Sequence, residues 1–313
     1  MLMVRVKTYG RRVFQLRCCP VTPFNYHPHH VKMLSPDAQS LYRTMENLLE
    51  VNDLHHAYGP HEVLKGINLA IPHNKIIGIM GASGSGKSTL LRHFTGQLRP
   101  SRGSVTFMGK VLHELSSNEL YKIRLKMGMM FQVSGLFTDL TVYENMAFPL
   151  RENTDLPEAI ISDLIMMKLH AVGLHGTQKL MPSELSGGME RRVALARATI
   201  TDPALIIYDE PFAGLDPISL STIANLIRKL NDALGVSSVV VTYDLAESLK
   251  IVDYIYFIHN GVVAAKGEVK EMIDSQDPLI RQFLHGEPDG PVPFHVPSAP
   301  YPEALFNAPD VRR

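Results

Sequence analysis

Residues 81–88 read Gly-Ala-Ser-Gly-Ser-Gly-Lys-Ser, a spacing of glycines ahead of a lysine and a hydroxyl that suits a polyphosphate. Glycines let backbone N–H groups close around phosphate oxygens, and the following helix N-terminus adds positive potential. The candidate nucleotide-binding residues are therefore Gly81, Ala82, Ser83, Gly84, Ser85, Gly86, Lys87, Ser88 and Thr89, with Lys87 for the outer phosphates and Ser88 for Mg²⁺. Ala204 to Glu210 is an apolar run ending in two carboxylates. Beside a phosphate loop, Asp209 can meet Mg²⁺ through water and Glu210 can polarise an attacking water. Leu185-Ser186-Gly187-Gly188-Met189 opens a helical run and forms a second candidate anion nest.

These groups need strands that end at one edge. Ile76 to Met80 is a short apolar run leading into the phosphate loop, followed by a helix expected over Lys87–Leu98. Ala204–Tyr208 and Ser237–Thr242 read as two further buried strands. Leu48 to Ile71 suits strands interrupted by Gly59-Pro60 and by Gly66. Pro157–Val172 sets Ile160, Ile161, Leu164, Ile165 and Leu169 on one helical face, and Leu220, Ile223, Ile227, Leu230 and Leu234 repeat the pattern. Strands alternating with helices call for a parallel sheet covered by helices, an α/β fold.

The 313 residues carry 31 Lys+Arg and 31 Asp+Glu, so no global field recruits a polyanion, which argues against nucleic acid as the partner. Apolar stretches such as Leu205–Ile207 and Ser238–Val241 fall far short of a bilayer span. Cys18 and Cys19 are adjacent and cannot build a disulfide framework, which suits a reducing cytoplasm. His27-Pro28-His29-His30 lacks matching ligand spacing, so no metal beyond Mg²⁺ is expected. Residues 1–46 carry Arg5, Lys7, Arg11, Arg12, Arg17, Lys32 and Arg43 against Asp37 and Glu46; they read as a disordered leader, with a lipid tether or transit peptide as rivals. Translation could start at Met1, Met33 or Met45. The Pro-rich stretch 287–313 cannot hold a regular helix and is expected to be extended, free or laid on a partner.

With Leu185–Met189 the chain resembles the ATP-binding cassette (ABC) ATPases, departing from their usual LSGGQ signature only at Met189. The resemblance implies a P-loop NTPase fold with a RecA-like core, an antiparallel β subdomain and an inserted helical subdomain at about 133–200 within a domain spanning 47–286. It also implies ATP and Mg²⁺ as cofactors, and two copies of the chain, because in that family the signature contacts ATP held by the opposite subunit. By the same resemblance Tyr58 would stack on adenine, Gln132 would reach Mg²⁺ and couple the site to an integral-membrane permease, and Asp216 would lie near the dimer interface. Gly214 and Asp216 would equally make an ordinary turn.

Tyr243 stands where the family normally places a histidine that bonds the γ-phosphate. A phenol can donate a hydrogen bond but cannot take up a proton near neutrality. ATP binding is expected to survive; hydrolysis then relies on Glu210 alone or is slow, unless the position only orients its neighbours.

Phe131-Gln132, Gly135–Asp139, Phe148–Glu152, Met166–Leu169, Ala171–Leu174, Lys179–Glu184 and Asp289–Phe294 are similar to the ATPase subunits of Mla-type phospholipid transporters. That subgroup implies an MCE-domain lipid carrier and a small STAS-domain protein as partners, a place on the cytoplasmic face of the inner membrane, and packing of the tail on the opposing subunit. Competing readings are a polar amino-acid or other small-solute importer and a non-transport cassette acting on nucleic acid.

Overall fold

A computed structural model describes residues 47–292; the expected disordered leader 1–46 and the expected extended tail beyond Val292 lie outside these residues. Two sheets organise them. In the first, β1 (Asn47–Tyr58) pairs antiparallel with β2 (His61–Pro72) and with β4 (Arg102–Phe107), and β5 (Lys110–Val111) completes the order β2-β1-β4-β5. Gly59-Pro60 makes the expected turn, but Gly66 does not interrupt β2. Leu54 faces Ile67 and His55 faces Lys65, so Gly66 is the extra residue of a bulge, held at φ +86°. The strand absorbs the glycine because its neighbours keep their inward alternation through Leu64, Ile67, Leu69 and Ile71.

The second sheet has the order β10-β9-β3-β8-β7-β6. Here β3 is Ile76–Met80, β6 Met127–Met130, β7 Leu205–Asp209, β8 Ser237–Val241, β9 Tyr254–His259 and β10 Val262–Glu268. The five strands from β9 to β6 run parallel, and β10 closes the edge antiparallel. Strands of this kind are buried on both faces, and the alternation of side chains sorts them into two cores. Ile76, Met80, Ile206, Tyr208 and Val240 face helices that follow β6; Ile77, Ile79, Leu205, Ile207, Val239 and Val241 face the antiparallel sheet and the helix that follows β3.

The helices are α1 (Lys87–Phe94), α2 (Ser117–Arg124), α3 (Val142–Asn153), α4 (Glu158–Ala171), α5 (Gly187–Ala198), α6 (Pro217–Leu234), α7 (Leu245–Ser248), α8 (Val269–Ile273) and α9 (Pro278–His285). α1 is shorter than expected: Thr95 caps it, and Gly96 at φ +65° turns the chain away. α4 buries Ile161, Ile165 and Leu169, and α6 buries Ile223, Ile227 and Leu230 before Gly235 ends it in the left-handed region. The start of the tail folds back on α9, where Gln282 Nε2 donates to Val292 O at 2.9 Å and Val292 N–H donates to Gln282 Oε1 at 2.8 Å. No helix among the described residues is long and apolar enough to cross a membrane.

Candidate nucleotide site

The carboxyl ends of β3, β8, β7 and β6 are neighbours, and each delivers one part of the site. The loop after β3 leads into α1, β8 ends before Tyr243, β7 ends in Asp209 and Glu210, and β6 runs into Phe131 and Gln132. A cavity of about 190 Å³ collects Ser83, Gly84, Gly86, Lys87, Ser88, Thr89, Gln132, Asp209, Glu210 and Tyr243, with Val63 and Val241 at its sides. This is the placement expected of ligands in open α/β sheets.

The loop geometry requires its glycines. Gly81 has φ +146°, and a Cβ there would lie 2.0 Å from Ile258 O. Lys87 is 6% exposed; its ammonium donates to Gly81 O at 2.7 Å and to Ala82 O at 2.8 Å, and stands 5.0 Å from the Tyr243 ring centroid. Burial lowers the Lys87 pKa, against the opposing pull of Glu210 and Asp209. Ser85 Oγ is buried in the same loop with no hydrogen-bond partner.

Glu210 is the most perturbed acid of the cavity. Its residue is only 4% exposed, its backbone sits at φ +47°, and its N–H continues the sheet ladder to Val241 O at 2.8 Å. Oε2 accepts the Tyr243 N–H at 3.4 Å, while Oε1 is buried without a partner. Burial pushes the carboxyl up to about 7, against the Tyr243 N–H and the Lys87 charge. Burial also raises Asp209. The Tyr243 phenol is raised by burial first and by the Glu210 carboxylate second, so it stays protonated around neutrality.

The other expected residues stand outside this cavity. Tyr58 ends β1, 45% exposed, with its ring edge-on to His56 at 4.7 Å. Ser186 is the N-cap of α5, accepting the Met189 N–H at 3.3 Å, and Ser186 and Gly187 are exposed. Leu185, Ser186, Gly187, Gly188 and Met189 line no part of the Lys87 cavity. Asp216 caps α6, accepting the Ile218 and Ser219 N–H groups at 3.0 Å each. The Ser219 side chain first, and those N–H groups after it, hold its pKa below the usual carboxylate range.

Sequence reasoning misses the side chains that hold the segment after Gln132. Asn145, fully buried, donates to Phe137 O and Leu140 O at 3.0 Å and accepts the Phe137 N–H at 2.8 Å. Arg197 reaches Ser134 O at 3.3 Å. These partners lie 5 to 63 positions apart, and among them only Asn145 and its loop are close enough for local pattern to signal a contact.

A family model described as ABC transporter matches residues 64–213. The chain is 49% identical over 261 residues to the intermembrane phospholipid transport system ATP-binding protein MlaF of Haemophilus influenzae, covering 83% of this chain and 99% of that one. Among solved structures, cbiO1 from Clostridium perfringens, described as part of the ABC transporter complex cbiONQ, aligns with a TM-score of 0.69 at 30% identity, over 78% of this chain and 96% of that one. The dimeric ATP-binding cassette MJ0796 bound to ADP and Pi aligns with a TM-score of 0.65 at 30% identity, over 71% and 98%. The phosphate loop, the paired acids after β7 and the shared fold together place this chain in the family of ABC transporter ATPases.

Proposed function

We propose that this chain is the ATP-hydrolysing subunit of a phospholipid transporter, acting as two copies beneath an integral-membrane permease on the cytoplasmic face of the inner membrane. The observation that carries the reading is the cavity in which Lys87, Ser88, Gln132, Asp209 and Glu210 meet. The phospholipid cargo is supported by the 49% identity to a phospholipid transport protein over nearly all of that protein's length. An MCE-domain lipid carrier and a small STAS-domain protein complete the proposed assembly. In this reading 47–286 is the cassette with a helical subdomain at about 133–200, flanked by the leader 1–46 and the tail 287–313.

The residues of the cavity fit a nucleotide with Mg²⁺. The donor set is oxygen-rich, the glycine cradle tolerates no Cβ at Gly81, and two buried oxygens, Ser85 Oγ and Glu210 Oε1, lack partners. Ser88, Gln132 and Asp209 would hold Mg²⁺, which when bound supplies charge neutralisation on the phosphates. The amides of Gly81–Thr89 wrap the phosphates, and Lys87 exchanges its two carbonyl partners for phosphate oxygens. Glu210 Oε1 accepts a hydrogen bond from the attacking water and orients it toward the γ-phosphorus, as Oε2 stays anchored on the Tyr243 N–H. Tyr243, always protonated, serves as a hydrogen-bond donor and as a wall, not as a proton acceptor. Tyr58 supplies an aromatic face for adenine.

Because Ser186–Met189 lie outside the Lys87 cavity, the exposed nest completes the site of a second copy, and Asp216 shapes the loop beside it. Each ATP then contacts both copies and favours closure; loss of the γ-phosphate releases them. Reconstitution with the cognate permease in vesicles tests the cargo: ATP turnover rises with phospholipid supplied by the lipid carrier and ignores amino acids. Stimulation by a polar solute instead would reject the phospholipid assignment.

A further inference from the structure

The first turns of α5 hold more than the signature. Glu190 and Arg191 follow Met189 directly, and both reach the segment that contains Gln132. Arg191 Nη1 donates to Phe131 O at 2.9 Å, just before Gln132. Glu190 Oε1 accepts the Ser134 hydroxyl, two residues after Gln132. Gln132 and Val133 are thus a two-residue span gripped at both ends by consecutive residues of one helix. The other arm of Arg191, Nη2, donates to Ala213 O at 3.2 Å, immediately before Gly214-Leu215-Asp216. One partly buried guanidinium, its pKa lowered by that burial, therefore ties three segments together. Carbonyl partners suit such a tie, because they fix backbone position, and a planar fork presents two donors to two loops at a set distance.

The gripped span and its flanks carry exposed apolar side chains. Val133 is 78% exposed, Phe131 43% and Phe137 46%, all within seven residues and open to an apolar partner segment. A push on this surface displaces Phe131 O or Ser134, and the clamp passes the displacement to the α5 N-terminus and the Ala213 loop.

We infer that Glu190 and Arg191 form a positioning clamp that couples permease docking at residues 131–137 to the exposed signature nest and the Asp216 loop. The inference rests on the transporter reading above, and two readouts separate their failures. Backbone NMR relaxation on the isolated chain needs no turnover. Arg191→Met, which keeps an apolar stem and removes both donors, lowers the amide order parameters of 132–134 and 214–216 together, while Arg191→Lys, able to keep one bond, gives a partial effect. Unchanged order parameters in either segment overturn the clamp whatever the chain transports.

In the assembled transporter, Arg191→Met reduces permease stimulation of ATP turnover by about five- to tenfold, as the loss of two ordinary hydrogen bonds allows, with nucleotide affinity of the isolated chain kept within about twofold. Stimulation kept at the wild-type level, or lost in step with nucleotide affinity, contradicts the coupling role.

Discussion

In the proposed reaction Glu210 concentrates the chemistry of the site in one carboxyl group. It is buried at the end of β7, strained at φ +47°, and left with one oxygen free of protein partners. With its pKa pushed up to about 7, the carboxylate form grows as pH rises through neutrality. Turnover limited by the hydrolysis step is expected to rise between about pH 6 and 8 and then level off, read as a single ionisation in kcat. Tyr243→His adds to that profile a second ionisation, that of the new imidazole; a profile identical in shape to wild type would show that position 243 does not sense the reacting groups. The same shift bears on stability. A carboxyl whose folded pKa is raised stabilises the protein only while protonated, and that contribution is lost as pH climbs through about 7. Glu210→Gln is therefore expected to raise Tm above pH 7, by a few degrees at about 1 kcal/mol, and to change little below pH 5, as thermal melts at both pH values would reveal.

At the scale of elements, caps and turns decide where the loops sit. Asp216 supplies two backbone N–H groups of α6 with an acceptor, so Asp216→Ala is expected to lower Tm by about 2–4 °C in calorimetry. Asp216→Asn keeps a capping oxygen and recovers most of that loss. Gly81→Ala places a methyl carbon 2.0 Å from Ile258 O in the present backbone; nucleotide affinity measured by titration should fall at least tenfold even where the fold survives.

Much of this layer is legible in the sequence. β3, β7 and β8 are built on apolar runs, and Gly81, Asp209 and Tyr243 sit at or within two residues of their ends. β6 is harder to see, because Met127–Met130 is four residues long with a glycine inside. Gly66 reads as a break, since a single glycine looks alike in a turn and in a bulge until the partner strand is known. The Glu190 and Arg191 contacts to Ser134 and Phe131 span 56 and 60 positions, beyond any periodicity.

At the scale of the whole molecule, the phosphate cavity and the signature nest of one chain do not share a pocket. Two defective chains should therefore complement each other. A chain with Lys87→Ala mixed with one carrying Ser186→Arg forms a mixed pair with one intact composite site, and ATPase activity is expected to return to roughly a quarter of the wild-type level, from random pairing in which half the pairs hold one of two sites. Mixtures no more active than either parent would show that each site is complete within one chain.

The proposed function requires that this cavity hydrolyse ATP through Glu210 and that a permease stimulate the reaction. The most direct measurement is ATP turnover by the purified protein, alone and with its permease, wild type beside Glu210→Gln. The expected result is permease-stimulated turnover that falls at least a hundredfold in the variant while ATP binding persists, a loss in the range seen for removal of a single catalytic group. Turnover unaffected by the substitution, or ATP bound without hydrolysis in either setting, would overturn the proposed function.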